Sequence, residues 1–145
     1  MLPAPRIRQA HRRLAPVPVQ GHPQADGLDR RHRDNITTHL AAGLPSTFGF
    51  TGYSSIPASG DGRGEIPFPN PGEKVEGGHA VLAVGYDNGR KIGSSKGALL
   101  IRNSWSTGWG DCGYGWLPYD YVPKGLANDF WALVQADFVD TELFK

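Results

Sequence analysis

The sequence predicts a mainly β domain, an antiparallel, barrel-like curled sheet of about five strands with one short helix. Two observations support this fold. Short segments rich in β-branched and aromatic residues recur after residue 46, separated by stretches rich in glycine and proline. All the phenylalanine, tyrosine and tryptophan residues lie in that same part of the chain. Because only one short segment has helical character, we expect the sheet to build the core.

Residues 1–34 differ in composition from the rest of the chain. They carry seven arginines against three aspartates, with five prolines and no phenylalanine, tyrosine or tryptophan. Such a segment cannot bury enough apolar surface to offset its ordering entropy, so we predict that it is disordered. The abrupt change near Asn35 further indicates an Arg/Pro-rich leader that is not native to the fold. The chain is therefore divided into this leader and a domain at residues 35–145.

The expected domain opens with a short helix. The helix is predicted to start at a capping Asp34 or Asn35 and to end before Gly43. Residues 47–53 follow with the alternation of a strand, and residues 54–76 are rich in glycine, proline and serine. We therefore predict a helix, a strand and a long surface loop in that order.

Residues 77–87 and 98–101 are predicted to be neighbouring strands. The first segment alternates apolar residues between two faces, and the second is a short apolar run behind a glycine. A turn-rich link opens at Asp87 and favours antiparallel pairing of the two strands. That pairing would bring His79, near the start of the first strand, close to Asn103, which follows the second.

Two more strands are predicted towards the end of the sequence, at residues 114–117 and 129–138. The second of these alternates, with Phe130 and Ala132 on one side. The glycine-rich loop before them allows large aromatic side chains to pack without backbone crowding, and we assign Trp109 to the core. With these two segments the number of predicted strands reaches about five.

His79 and Asn103 are the pair of residues best suited to hydrolytic chemistry in this sequence. In hydrolases with a cysteine nucleophile, an imidazole takes the thiol proton and later returns it to the leaving group. A third side chain on the other ring nitrogen fixes the tautomer and orientation of the imidazole, and an amide can be that side chain. If the predicted strands pair, His79 and Asn103 can provide these two functions.

The segments HAVLAVGYD and NSWSTGWGDCGYG, which begin at His79 and Asn103, resemble the papain-like cysteine peptidases. The resemblance covers roughly residues 40–138 and implies the second, β-barrel lobe of a two-lobed fold. It implies that His79 is the base, that Asn103 orients it, and that the Trp105 indole shields their hydrogen bond from water. It also implies that Ala80 lines the pocket for the second residue before the cleaved bond.

The nucleophile of that family has no counterpart in this sequence. The family's reactive cysteine lies in a motif similar to CGSCW, far ahead of the histidine, and nothing similar precedes His79. The single cysteine, Cys112, follows Asn103 in the glycine-rich loop, without a basic neighbour. We interpret Cys112 as a partly buried, unreactive structural thiol. Ser106 stands where the family usually has glycine, so we expect local backbone strain there.

Two functional hypotheses from different classes follow. In the first, the chain is the carboxy-terminal lobe of a cysteine-type peptidase, a thiol protease, truncated from an active parent and inactive alone. Its partners would be a cysteine-bearing lobe and a peptide or protein substrate, and its uncovered lobe interface would favour self-association. In the second hypothesis, the lobe is a non-catalytic peptide-binding or regulatory module.

Other classes of function receive little support from the sequence. The formal net charge of +1 does not indicate nucleic acid as a partner, and no apolar run approaches the ~18 residues of a membrane span. We expect no cofactor and no metal, since no spacing typical of a metal site occurs. Gly93, Ser95 and Gly97 match the pattern of a serine-hydrolase elbow, but a strand rather than a helix is predicted after them. Without an apolar signal segment the compartment stays open, with the cytoplasm as the default.

Overall fold

The computed structural model of the protein describes the backbone of residues 11–18, 26–57 and 63–139, and the side chains of residues 31–57 and 63–132. Within these ranges the elements are β1 (His11–Pro18), α1 (Asp26–Ala41), β2 (Ser46–Tyr53), β3 (Val75–Ile92), β4 (Ser95–Arg102), β5 (Tyr114–Pro118), a short 3-10 helix (Tyr119–Tyr121) and β6 (Ala127–Val139). The strands form one antiparallel sheet in the order β1-β6-β2-β3-β4-β5. The predicted mainly β fold is confirmed, and the sheet is open, with β1 and β5 at its edges.

The first part of the chain differs from its prediction. Residues 11–18 form β1, which pairs with β6, and α1 begins at Asp26, well before the predicted start at Asp34 or Asn35. The prediction of disorder over residues 1–34 is therefore corrected at residues 11–18 and 26–34. Composition misled here because an edge strand and an amphipathic helix gain most of their stability from the elements that they pack against. That residues 1–34 are a non-native leader stays a prediction.

Helix α1 packs on the sheet through a narrow apolar stripe. Ile36 and Leu40, one helical turn apart, are buried in the same cluster as Phe48 and Phe130 of β2 and β6. The His32 ring meets Phe130 edge-on, with ring centroids 5.6 Å apart. Since most of the remaining helical sequence is polar, this stripe determines which face of the helix turns towards the sheet.

The hairpin of β3 and β4 carries the candidate site, and its antiparallel pairing is as predicted. The predicted turn-rich link after Asp87 is wrong, since β3 continues to Ile92 and a tight turn at Gly93 and Ser94 leads into β4. The register shifts between Asp87 and Lys91, so an irregularity in the ladder absorbs the polar residues that suggested a loop.

Two hydrogen bonds to the 3-10 helix hold the far end of this hairpin. The Tyr119 hydroxyl donates to Asn88 Oδ1 at 2.9 Å, and the Ser95 hydroxyl donates to Asp120 Oδ2 at 2.6 Å. Ser95 is buried, so its hydroxyl needs that partner. These contacts are distant in sequence and explain why local turn signals failed to predict the end of β3.

The core lies on one face of the central strands. Alternate residues point into it, as the period of two in the sequence predicts. The helix, β2 to β6 and the loops over them all supply core residues, among them Ile36, Phe48, Phe50, Ile66, Val81, Leu99, Ile101, Trp109, Leu117, Tyr119, Tyr121 and Phe130. Trp131 lies on the opposite face and is 40% exposed. One face of the sheet is therefore packed, and the other is open around β2, β3 and β6.

The loop between β2 and β3 is fastened to the sheet near its middle. Glu65 pairs with Trp116 of β5 as an isolated bridge, and Arg90 contacts both residues. The Arg90 guanidinium lies 2.9 Å from Glu65 Oε1 and 4.2 Å from the centroid of the Trp116 indole. This contact fixes the loop beside the tryptophan-rich segment that follows β4. Among the described helices, none has the length and apolarity required to traverse a membrane.

Candidate active site

The pairing of two neighbouring strands brings His79 and Asn103 together. Within β3, His79 lies opposite Phe50 of β2, whereas β4 ends at Arg102, which lies opposite Leu82. The end of β4 therefore places Asn103 beside the first half of β3. Nε2 of His79 and Oδ1 of Asn103 lie 2.7 Å apart. This is the proximity that the antiparallel pairing predicts.

A second hydrogen bond of Asn103 fixes which nitrogen of His79 carries the proton. The backbone N–H of Ser104 donates to Asn103 Oδ1 at 2.8 Å, so the amide oxygen is the atom that faces both donors. An amide oxygen only accepts, and His79 Nε2 must therefore donate to it. In the neutral ring the other nitrogen, Nδ1, is then unprotonated. That nitrogen is the one available to a general base.

Two aromatic rings hold the imidazole of His79. Phe50 meets it edge-on, with centroids 5.7 Å apart and planes at 77°. Trp105 lies over it with centroids 4.7 Å apart and planes at 30°. Phe50 is buried, whereas Trp105 is 42% exposed, so Trp105 covers the imidazole from the solvent side. The indole is thus placed where it can shield the bond between His79 and Asn103.

The loop after β4 is anchored so that Trp105 keeps this position. Trp105 packs edge-on against Trp109, with centroids 5.8 Å apart, and Trp109 is buried as predicted. The Trp109 indole N–H donates to the Pro57 carbonyl at 3.0 Å. At the other end of the loop, the Asn103 backbone N–H donates to the Gly113 carbonyl at 2.9 Å. Both the orienting amide and its shield are therefore held by buried or hydrogen-bonded neighbours.

Ser106 adopts the backbone conformation that its family position suggested. Its φ is 71, in the left-handed region that a residue with a Cβ occupies at a cost of about 1–2 kcal/mol. Its hydroxyl accepts a hydrogen bond from the Gly108 N–H at 3.3 Å. The expectation of strain at this residue is confirmed by the positive φ.

Cys112 is exposed, and the expectation of a partly buried thiol is therefore wrong. Asp111 and Tyr114 pair on either side of it through hydrogen bonds of 2.9 and 3.0 Å. Cys112 and Gly113 form the two-residue tip between them, and both have positive φ, at 52 and 90. A side chain at the tip of such a turn points to solvent, which a count of apolar neighbours in sequence cannot show.

Two cavities meet at His79 and its neighbour Gly78. One, of about 440 Å³, extends past Trp105 to Ile56. The other, of about 400 Å³, extends past Ala80 to β6. A Cβ added at Gly78 would meet no atom within 4 Å, so the backbone there is open to the cleft. The site is a shallow groove along β3 with a recess on each side of the imidazole.

Sequence reasoning missed two residues of this site. Phe50 was assigned to a strand, but its contact with His79 depends on the register of β2 against β3, which the sequence does not specify. Asp129 lines the second cavity and has a φ of 58. The pair Asn128-Asp129 at the start of an otherwise apolar strand was the available signal, since these two residue types tolerate positive φ. Among the residues that the structure describes, no group of three or more potential metal ligands converges.

An imidazole held by an amide is an arrangement that hydrolases with a cysteine nucleophile use. Comparison with known proteins makes this class specific. The model of the family described as papain family cysteine protease matches residues 24–129. The chain belongs to the papain family of cysteine proteases.

Individual relatives agree with this assignment. An uncharacterized peptidase C1-like protein of Acanthamoeba polyphaga mimivirus is 35% identical over 102 residues, which are 69% of this chain and 31% of that protein. Peptidase 1 of Psoroptes ovis is 38% identical over 98 residues, or 64% of this chain and 28% of that protein. The crystal structure of xylellain, a cysteine protease from Xylella fastidiosa, superposes with a TM-score of 0.60 at 38% identity.

The extent of these matches matters for what the chain can do. The match to xylellain covers 74% of this chain and 37% of that protein. The chain thus spans about a third of the length of its relatives, as the shares of 31% and 28% for the curated proteins also indicate. The family match begins at residue 24, so it includes α1, which the domain boundary predicted at Asn35 would have divided.

Proposed function

We propose that this chain supplies the histidine and asparagine of a cysteine peptidase and has no peptidase activity alone. The observation that supports the proposal is the 2.7 Å contact between His79 Nε2 and Asn103 Oδ1. It leaves Nδ1 of the imidazole as the free base, with no cysteine of this chain in a position to use it.

The chemistry assigned to each residue follows from this contact. His79 Nδ1 accepts the proton of a thiol, and the thiolate attacks the peptide carbonyl. The imidazolium that forms is stabilised through Nε2–H by Asn103, and it returns the proton to the leaving amine. Trp105 keeps water away from the hydrogen bond, which is stronger where the local dielectric is low.

Cys112 is a poor candidate for the nucleophile. Its neighbour Gly113 is bonded to the backbone of Asn103, so the turn that carries Cys112 lies on the Asn103 side of the imidazole. The free Nδ1 is on the other side of the ring from Nε2. We therefore assign the nucleophile to a cysteine on a second, partner polypeptide segment.

That segment is the partner that we propose, together with a peptide or protein substrate bound in the groove along β3. The exposed indoles of Trp105 and Trp131, at 42% and 40%, lie on the surface that a partner could cover. Without the partner, these surfaces favour self-association. A second candidate function, peptide binding without cleavage, is favoured by the same groove, which persists without a nucleophile.

Complementation separates these two functions. The purified chain is assayed with a fluorogenic dipeptide amide, alone and after co-expression with a cysteine-bearing amino-terminal segment of a papain-family enzyme such as xylellain. We expect no turnover from the chain alone and turnover from the complex. His79→Ala in this chain should abolish that turnover, and Asn103→Ala should reduce it.

Two results would count against the proposal. One is hydrolysis by the chain alone that Cys112→Ser removes, because this would make Cys112 the nucleophile. The other is a stable complex that binds the dipeptide without cleaving it, which would favour the binding module. Light scattering of the chain alone supplies a further check, since a monodisperse monomer would contradict the expected self-association.

A further inference from the structure

Asn88 and Gly89 lie in β3 near the turn into β4, at the end of the hairpin away from His79. Of the five asparagines in the sequence, only Asn88 is followed by glycine. The amide of an asparagine can react with the main-chain nitrogen of the next residue, and a glycine there has no Cβ to obstruct the approach. The Asn88 amide is therefore the one with the least steric protection from its own main chain.

The fold leaves this pair outside the regular ladder. Between Asp87 and Lys91 the register shifts, so three residues of β3 lie opposite one residue of β4. Asn88 and Gly89 are two of those three, and both are exposed. A bulge of this kind interrupts the ladder locally. Water can therefore reach the amide of Asn88.

Two hydrogen bonds meet at this pair, one on each of its reacting groups. The Gly89 N–H donates to Asp87 Oδ1 at 2.8 Å, and the Tyr119 hydroxyl donates to Asn88 Oδ1 at 2.9 Å. A carboxylate that accepts the N–H makes the nitrogen a better nucleophile, and a donor on the amide oxygen makes the amide carbon a better electrophile. Burial raises the pKa of Tyr119 to about 12, so its hydroxyl stays protonated and can donate at neutral pH.

We propose that Asn88 deamidates spontaneously in the folded protein, with Asp87 as the base and the Tyr119 hydroxyl as the donor to the amide oxygen. The Gly89 nitrogen attacks Cγ of Asn88 while the Asp87 carboxylate takes its proton. The Cγ–Nδ2 bond then breaks, the same proton passes to Nδ2, and ammonia leaves a succinimide ring. Water opens the ring at either carbonyl, so residue 88 becomes aspartate or isoaspartate.

The modification changes a contact that fastens the hairpin. It adds a negative charge beside Asp87, and as isoaspartate it lengthens the main chain of β3 by one atom. Both changes fall on the residue through which Tyr119 holds this end of the hairpin. Because the site lies apart from His79 and Asn103, the reaction needs neither a partner segment nor a peptide.

Mass spectrometry of the unmodified chain measures the reaction. The native protein is incubated near neutral pH, and samples taken over time are digested with trypsin under mildly acidic conditions. Cleavage after Lys74 and Arg90 releases residues 75–90, in which Asn88 is the sole asparagine and glutamine does not occur. We expect this peptide to gain the mass difference between an amide and a carboxylic acid, while Asn103 and Asn128 remain amides over the same period.

Three variants separate the contributions to the reaction. Gly89→Ala adds a Cβ beside the attacking nitrogen, and conversion should be lost. The φ of Gly89 is not positive, and this Cβ would lie 3.4 Å from Asp87 Oδ1, so the backbone accommodates alanine. Asp87→Asn keeps an acceptor for the N–H but removes the base. Conversion of residue 88, located by fragmentation of the peptide, should slow by about ten-fold, less than the ~10²-fold of a general base in an enzyme because the site is exposed. Tyr119→Phe removes the donor and keeps the ring, and conversion should slow by about five-fold, the value of one hydrogen bond.

The tryptophan fluorescence of each variant is compared with that of the unmodified protein, so that rates are compared between folded chains. An Asn88 amide that lasts as long as those of Asn103 and Asn128 would overturn the inference. Conversion that continues unchanged in Gly89→Ala would do so too, because the succinimide route would then be wrong. An undiminished rate in Asp87→Asn or in Tyr119→Phe would also overturn it, because both hydrogen bonds are needed for the reaction in the folded protein.

Discussion

Replacing Ser106 by glycine is expected to stabilise the protein. The φ of Ser106 is 71, a conformation in which the Cβ costs about 1–2 kcal/mol and glycine avoids that cost. Two terms oppose the gain. Glycine increases the entropy of the unfolded chain, worth about 0.4–1 kcal/mol. The hydrogen bond from the Gly108 N–H to the Ser106 hydroxyl, exposed and 3.3 Å long, contributes about 0.5 kcal/mol or less. The balance is a stabilisation of about 0.5 kcal/mol.

A matched variant makes this small effect measurable. Ser106→Ala loses the same hydrogen bond but keeps the Cβ, so the glycine variant should exceed the alanine variant by about 1 kcal/mol in free energy of unfolding. For a domain of this size the difference corresponds to about 4 °C in Tm. Thermal and urea unfolding, followed by tryptophan fluorescence, would measure it. An alanine variant as stable as the glycine variant would show that a Cβ at this positive φ does not destabilise the protein.

Three further predictions concern pH and packing. Glu73 accepts hydrogen bonds from the Ser55 and Asn70 N–H groups. The pKa of its carboxyl is lowered, chiefly by the Ser55 side chain and next by the Asn70 N–H. The ionised Glu73 carboxylate therefore stabilises the fold above its pKa in the unfolded chain, and this stabilisation is lost as the pH falls through the lower pKa of the folded state. In urea titrations below about pH 5, the free energy of unfolding should therefore decrease less in Glu73→Gln than in the unmodified protein. Burial raises the pKa of Tyr119 to about 12 from the ordinary 10.0. Because the Tyr119 hydroxyl then ionises at lower pH in the unfolded chain than in the folded one, the free energy of unfolding should fall between about pH 10 and 12. The fall should be less steep in Tyr119→Phe. A Cβ at Gly97 would overlap the Tyr119 ring, so Gly97→Ala should lower the free energy of unfolding by about 2 kcal/mol or more. The control is Gly43→Ala, also at positive φ but in open space, which should lower it by about 1 kcal/mol. Equal losses in the two variants would argue against the overlap.

The sequence predicts the central strands well because their side chains alternate with a period of two. Val81 and Ala83 point into the core of the sheet, as their spacing requires. The end of β3 was not predictable in the same way, since Asn88 is held by Tyr119, thirty-one positions away. The start of α1 was missed because its first half is mostly polar and basic, whereas the apolar residues Ile36 and Leu40, which are buried, lie in its second half.

The residues of the candidate site also differ in whether local sequence patterns could predict them. His79 and Asn103 were predictable because His79 lies in the first part of a strand with a clear pattern, Asn103 directly follows the next strand, and the two strands are consecutive. Phe50 and Asp129 were not, because they reach the site through the register of β2 against β3 and through a bulge in β6. Register depends on packing between strands that are distant in sequence, and the pattern of a single strand does not specify it.

The tautomer of His79 is the most direct measure of the hydrogen bond that holds its imidazole to Asn103. The protein is labelled with 15N-histidine, and the two ring nitrogens are followed at about pH 8, where an ordinary imidazole is neutral. His79→Gln identifies the resonances. We expect a protonated Nε2 whose proton exchanges slowly with water, an unprotonated Nδ1, and rapid exchange of the Nε2 proton in Asn103→Ala. A proton on Nδ1, or a Nε2 proton that exchanges as freely as in Asn103→Ala, would contradict it.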